Sequence, residues 1–350
     1  MRGKRSQTMP RRATAWALMV LLAGSAAGCM TTGSRRADGD DLQDPAAFVS
    51  LPGEVAFDVN AADGGVTRVA GLAWSAPKAT TVILLVHGLS GVKENYWDTL
   101  PSVGYAFAAR LAAAGHAAVA IDLPGYGESQ TPTGASGLED FAFVLDQIAT
   151  QLRSAQYQGA TAPYARVIGH GLSLGGAAVF VAQGMYGSFD VVIPAGFSLD
   201  GLRADYVRCQ VQDEPACPHS PDDDFELDRA EPDVVAATLA GYEGGEHTAQ
   251  AANLIAWYGA CGVPKAVGAC PSGGTVDQLA GRIDVPVLLL VGEADRLMDM
   301  AGADAWVSRF PLAPEVVVKS YPGVGHFVHN HDIHVDAAAT ISSFVAAHSE

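Results

Sequence analysis

Gly171-Leu172-Ser173-Leu174-Gly175 forms a G-x-S-x-G motif between a β-branched run, Arg166-Val167-Ile168, and an alanine-rich stretch of helical character. A serine on so sharp a strand-to-helix turn sits in a strained backbone, where side chains two positions away on either side would collide. Gly171, Gly175 and Gly176 relieve that crowding. The chemistry this invites is nucleophilic attack by Ser173, which needs an imidazole to take its proton and a carboxylate to orient the imidazole. With 39 glycines in the chain the pattern can also arise by chance, so its meaning depends on the residues downstream of it.

Downstream, the apolar run Val287-Leu288-Leu289-Leu290-Val291 is introduced by Pro286 and ends in Gly292-Glu293-Ala294-Asp295. A second β-type run, Glu315-Val316-Val317-Val318-Lys319-Ser320-Tyr321, leads into Pro322-Gly323-Val324-Gly325-His326. Serine, aspartate and histidine thus each come after a strand, in that order. Asp200, after Val191-Val192-Ile193 and Gly196-Phe197-Ser198-Leu199, competes for the role of acid, but order and spacing favour Asp295. His329, His331 and His334 compete with His326, and their spacing suits a metal site. No cysteine or second carboxylate cluster accompanies them, so the expectation is a solvated helix start and no metal. His87 and His170 flank the active-site turns and read as packing or hydrogen-bonding residues, since neither comes after the last strand.

This chain order resembles that of the α/β-hydrolase superfamily, over residues from about Glu54 to the C-terminus. Thr81-Val82-Ile83-Leu84-Leu85-Val86-His87-Gly88 looks like the family's third strand and His-Gly turn, and Asp122-Leu123-Pro124-Gly125-Tyr126-Gly127-Glu128-Ser129 is similar to its architectural loop after strand four. The resemblance implies Ser173 as nucleophile, His326 as base, Asp295 as acid, and the backbone N–H groups of Leu89 and Leu174 as oxyanion donors. It implies no cofactor, and a small-molecule carboxylic ester or related acyl bond as substrate, cleaved through an acyl-enzyme. Lipases, thioesterases, peptidases and cofactor-free haloperoxidases of this fold use the same three groups, so these activities stay open. Ser173 argues against the dehalogenases and epoxide hydrolases of the fold, which place an aspartate there. A non-catalytic surface binding protein on this fold is the alternative from another class, and the three filled positions weigh against it.

The elements needed to hold such residues are legible as an alternation. A hairpin is expected within residues 55–74, turning at Ala61-Ala62-Asp63-Gly64-Gly65. Helices are expected over 105–114, 138–155, 175–185, 301–310 and 335–347, with buried strands between them. That implies a mainly parallel sheet flanked by helices, with ligands at the strands' carboxyl ends. Hydrophobic residues at 49% and charged ones at 17% supply material for such a core in one domain, residues 51–350. Between Asp200 and Val285 the alternation stops, and the resemblance implies a cap insertion after strand six, about 201–284. Within it Asp222-Asp223-Asp224 reads as a solvated loop rather than a calcium site, and Leu254, Trp257 and Tyr258 as cap packing rather than pocket lining.

At the N-terminus, Arg2, Lys4, Arg5, Arg11 and Arg12 precede an apolar core containing Trp16-Ala17-Leu18-Met19-Val20-Leu21-Leu22, the pattern of a secretory signal over residues 1–28. It ends in Ala26-Ala27-Gly28-Cys29, which looks like a bacterial lipoprotein box with alanine where leucine is favoured; Cys29 is the expected lipidation site, and ordinary signal-peptidase cleavage near Ala27, giving a secreted protein, is the alternative. Residues 29–50 read as a polar tether. The remaining Cys209, Cys217, Cys261 and Cys270 are even in number and suit two disulfides in an oxidising compartment, the simplest pairing being the local one. The formal charge is −17, and loss of the five basic residues before Cys29 takes it to −22. So acidic a chain excludes nucleic acid and anionic lipid as electrostatic partners, leaving the lipid on Cys29 as the expected membrane contact. Nothing in the sequence speaks to oligomeric state.

Overall fold

The computed structural model describes residues 52–61, 64–76, 78–89, 91–97, 106–132, 137–204, 257, 260, 261, 270 and 272–349. Strands β1 (Gly53–Asn60) and β2 (Val66–Trp74) form the expected antiparallel hairpin, in register from Gly53 opposite Ala73 to Asn60 opposite Val66. Along β1, Phe57 and Val59 are buried while Asp58 and Asn60 are exposed, the alternation of a strand with one wet face.

The remaining strands are β3 (Thr81–Val86), β4 (Ala117–Ile121), β5 (Arg166–Leu172), β6 (Val191–Ala195), β7 (Val287–Gly292) and β8 (Val316–Tyr321). They run parallel to one another, and β2 joins β4 antiparallel, giving one sheet in the order β1-β2-β4-β3-β5-β6-β7-β8. β4, β6 and β7 are buried throughout, as continuous apolar runs must be when helices cover both faces. Pro194 sits inside β6 and removes a donor from the β6–β7 ladder. Val192 N–H and Gly196 N–H reach Pro286 O and Leu290 O on either side of that gap.

Among the described residues the helices are α1 (Lys93–Trp97), α2 (Phe107–Ala113), α3 (Leu138–Ser154), α4 (Leu174–Tyr186), α5 (Val276–Ala280) and α6 (His334–Ala347). α3 buries Phe141, Leu145, Ile148 and Leu152 at helical spacing, and Asp140 closes its first turn by accepting from Gly137 N–H at 2.8 Å. α4 is buried from Leu174 to Gly184, so it is the helix most enclosed by the fold.

One predicted helix takes another form: residues 303–309 are a 3₁₀ helix, Ala303–Arg309. Three residues per turn bring side chains at i and i+3 into line. Trp306 Nε1 and Arg309 Nη1 accordingly both reach the Asp200 carboxylate, at 2.7 and 2.8 Å.

The segment proposed as a cap lies mostly outside the described residues, and so do the signal segment 1–28, the tether 29–50, Cys29, Cys209, Cys217, Asp222 to Asp224, Leu254 and Tyr258. At its far end Cys261 and Cys270 are joined by a disulfide, one of the two local pairings expected. Trp257 is buried there and donates from Nε1 to Ser272 Oγ at 2.8 Å, and Ser272 in turn meets Glu139 on α3. Among the described residues, no helix is long and apolar enough to cross a membrane.

Candidate active site

Ser173 occupies the single-residue turn between β5 and α4 with φ 56° and ψ −116°, a left-handed conformation that costs a non-glycine residue of order 1–3 kcal/mol. Neighbouring bonds hold it there. Ser173 N–H donates to Ala195 O at 2.8 Å, extending the β5–β6 ladder into the turn, and Ser173 O accepts from Ala177 N–H at 2.9 Å, starting α4 at once. The flanking glycines are required by close approach. A Cβ on Gly171 would lie 2.3 Å from the Gly175 carbonyl, and one on Gly175 would lie 2.3 Å from Val86 O and 2.5 Å from His87 O. Gly175 is thus where the serine turn rests on the turn after β3.

That second turn carries Leu89, and its bracing is polar. His87 is fully buried, with Nε2 accepting from Leu123 N–H at 3.0 Å, so the ring proton sits on Nδ1 and is donated to Gly88 O at 2.7 Å. Burial is the main cause that lowers the His87 pKa, which keeps the ring in this neutral form. Asp122 grips the far side of the turn. Its Oδ1 accepts from Lys93 N–H at 2.7 Å, and its Oδ2 from Lys93 Nζ and Glu128 N–H, each at 2.9 Å. Burial alone would lower the Lys93 pKa, but hydrogen bonds to Glu94, Asp122 and Glu128 outweigh it and raise the pKa. The loop after β4 therefore frames the turn after β3. On the other side of the site, Leu174 opens α4, where the first N–H groups have no carbonyl partner within the helix and face outward at its positive end.

Asp295 lies just past β7 and His326 just past β8, and they meet: Asp295 Oδ2 is 2.8 Å from His326 Nδ1, with both side chains buried. The other carboxylate oxygen accepts from Leu297 N–H at 2.8 Å and Met298 N–H at 2.9 Å, which fixes the carboxylate plane. A carboxylate at Nδ1 holds the proton there and makes Nε2 the basic nitrogen. Gly196, just past β6 with φ 52°, seats the histidine: a Cβ there would lie 2.9 Å from His326 O, 3.3 Å from His326 Cε1 and 3.1 Å from Leu172 Cδ1. Leu172 immediately precedes Ser173, so the imidazole and the serine turn share one corner of the sheet's carboxyl edge. Asp200 is not part of this corner, since its carboxylate is taken up by Trp306 and Arg309.

His87 and His170 are buried and hydrogen-bonded as expected, whereas the three histidines after His326 depart from expectation. His329, His331 and His334 do not form a solvated helix start; all three are buried. After His326 the chain turns through a 3₁₀ helix, Val328–Asn330, and runs inward against Trp97 and Phe107 instead of emerging. His329 Nε2 lies 2.8 Å from His170 Nε2 on β5, a contact between positions 159 apart. Neither this pair nor the seat at Gly196 follows from the sequence pattern, whose one signal is a histidine inside the buried part of a strand. No group of three or more potential metal ligands converges among the described residues.

Comparison with known proteins agrees with this architecture. The profile of the Alpha/beta hydrolase family matches residues 83–337. The chain is 26% identical over 273 residues to a monoacylglycerol lipase of Mycolicibacterium smegmatis, covering 76% of this chain and 88% of that one. Among solved structures it is similar to a thermophilic esterase of Thermogutta terrifontis, with a TM-score of 0.59 at 17% identity over 84% of this chain and 98% of that one. It is also similar to a carboxylesterase of Bacillus subtilis, with a TM-score of 0.57 at 16% identity over 86% and 94% of the respective chains.

Proposed function

The chain belongs to the alpha/beta hydrolase family, and from that premise we propose that it is a serine hydrolase that cleaves carboxylic esters through Ser173, His326 and Asp295. The observation that carries this reading is the buried Asp295–His326 hydrogen bond, formed across 31 positions beside the corner that holds the strained serine. In the proposed reaction Ser173 Oγ attacks the ester carbonyl carbon while His326 Nε2 takes the hydroxyl proton. Asp295 keeps the other ring proton on Nδ1 and stabilises the imidazolium. The oxyanion of the tetrahedral intermediate accepts from the N–H groups of Leu89 and Leu174, each such donor typically contributing about 3 kcal/mol. Collapse expels the alcohol, which leaves with the proton from His326, and an acyl-enzyme remains. Water then attacks the acyl carbon, giving its proton to His326. The second collapse releases the carboxylic acid and returns the proton to Ser173.

Ser173→Ala tests the assignment. Hydrolysis of p-nitrophenyl butyrate is expected to fall by about 10⁴-fold or more while circular dichroism stays unchanged, and a fluorophosphonate probe is expected to label the unaltered protein at Ser173 and not the variant. Undiminished turnover in the variant removes the reading. Because the M. smegmatis relative is named a monoacylglycerol lipase, monoacylglycerols of graded chain length are the first natural esters to screen.

The N-terminal residues support a location for this activity: export to the cell envelope, with a lipid on Cys29 as the anchor. Cys29→Ser is expected to move the protein from the membrane fraction to the soluble fraction and abolish metabolic labelling with a palmitate analogue.

A further inference from the structure

His170 and His329 stand on two elements that end at the site. His170 lies on β5 three residues before Ser173, and His329 lies in the 3₁₀ turn three residues after His326. Their rings are fully buried and meet at 2.8 Å between the two Nε2 atoms. His170 Nδ1 is 2.6 Å from Ile193 O on β6. A carbonyl only accepts, so Nδ1 carries the proton of the neutral ring and Nε2 offers a lone pair. His329 must then hold its proton on Nε2. Its Nδ1 is left bare, and it finds no hydrogen-bonding partner among the described residues. A single proton bridges the rings: moving the His170 proton to Nε2 would set the Nδ1 lone pair against Ile193 O, and moving the His329 proton to Nδ1 would set two Nε2 lone pairs face to face.

The surroundings make this bond costly to break. The rings of Trp97 and Phe107 stand 4.8 and 4.6 Å from that of His329, and Trp97 also lies 5.3 Å from His170. In so apolar a box water cannot replace the partner, and a hydrogen bond is electrostatically stronger than in solvent. Burial keeps both rings neutral, with the His170 pKa lowered to about 4 and that of His329 lowered well below its ordinary value.

The bond also completes the bracing of the His326 loop. From the β7 side the loop is held by Ala294 N–H to Val324 O at 3.0 Å and by Asp295 to His326. From the β5 side it is held by His329. We propose that His170 and His329 are positioning residues: their shared proton locks the loop that presents His326 to the strand that presents Ser173, and so keeps base and nucleophile in register through both half-reactions. The proposal rests on the reading of Ser173 and His326 as nucleophile and base.

Two variants and a spectrum of the unaltered protein test it. His329→Phe keeps a ring in the box but has no donor, and kcat for p-nitrophenyl butyrate is expected to fall about 10–100-fold, with KM within about twofold. In His329→Gln the side-chain amide can donate in place of Nε2, and kcat is expected to return to within about threefold of normal. Long-range ¹H–¹⁵N spectra of the unaltered protein at pH 7.5 should show His170 protonated at Nδ1 and His329 at Nε2. Unchanged kcat in a folded His329→Phe, a Gln variant as impaired as the Phe variant, a loss confined to KM, or His329 protonated at Nδ1 each overturns the proposal. Should the Phe variant not fold, the Gln variant and the nitrogen spectrum still decide. Failure of the underlying reading looks different: Ser173 of the unaltered protein stays unlabelled by fluorophosphonate, which overturns the positioning role along with it.

Discussion

Lys93 shows how single side chains hold this site without touching the reacting atoms. Its side chain is 2% exposed and pairs with Asp122, which is 0% exposed, while its other partners Glu94 and Glu128 are 50% and 75% exposed. Exposed pairs contribute little, so the Lys93–Asp122 bond is the one that matters. Lys93→Met strands a buried carboxylate beside the turn that carries Leu89, and urea titration is expected to show a loss of about 3–5 kcal/mol. A loss under about 1 kcal/mol would mean that Asp122 is satisfied without its cation. The two candidate acids separate in the same way. Asp295→Asn presents an amide to His326 Nδ1, favours the wrong tautomer, and is expected to lower kcat by about 10⁴-fold with the fold intact. Asp200→Asn touches only the anchor of the 3₁₀ helix. Its kcat should stay within about twofold, whereas thermal denaturation should register about 1–2 kcal/mol of lost stability. The reverse pattern would transfer the role of acid to Asp200.

At the scale of elements, the contact between α4 and the end of β3 sets the Ser173 turn against the turn that carries Leu89. Gly175→Ala would put a methyl group 2.3 Å from Val86 O, a backbone atom that cannot rotate aside. The strand end and the turn bearing Leu89 must move, so the variant is expected to lose about 1–3 kcal/mol by calorimetry and to lose kcat as well. Unimpaired kcat would show that the Leu89 turn contributes no donor. The seat of Gly175 on Val86, 89 positions upstream, was not legible in the sequence, but the need for the glycines was, because the crowding of Gly171 against Gly175 is local, with strand, motif and helix inside residues 166–186. The same holds for the β1–β2 hairpin and for α3, whose periodicities are set by near neighbours. What the sequence hid is what distant segments do to one another. Residues 301–310 have helical composition, but Ala303–Arg309 is a 3₁₀ helix whose Trp306 and Arg309 both bind Asp200, a contact with a residue more than a hundred positions earlier. The histidines after His326 look polar and solvated, yet Trp97 and Phe107 from other elements form the box that encloses His329.

For the molecule as a whole, these buried imidazoles set a pH dependence that the acidic composition alone does not. His87, His116, His170 and His329 sit on different parts of the sheet's surroundings, and burial is the leading cause that lowers the pKa of each. For His170 the value falls from 6.5 to about 4. A histidine whose folded pKa lies below its unfolded one binds fewer protons when folded. The stability it confers is therefore complete above pH 6.5 and is lost as pH falls toward about 4. Each such group can tilt the stability curve by about 1.4 kcal/mol per pH unit inside that window. Calorimetry between pH 8 and pH 4.5 is thus expected to give a melting temperature that is flat at the alkaline end and declines steeply below about pH 6.5. Replacing His170 and His329 together by phenylalanine removes two of these groups, swaps a buried polar pair for apolar rings of similar size, and should make the decline shallower. A melting temperature that rises on acidification, or a double variant with the full original slope, would place the dominant titrating groups elsewhere in the chain.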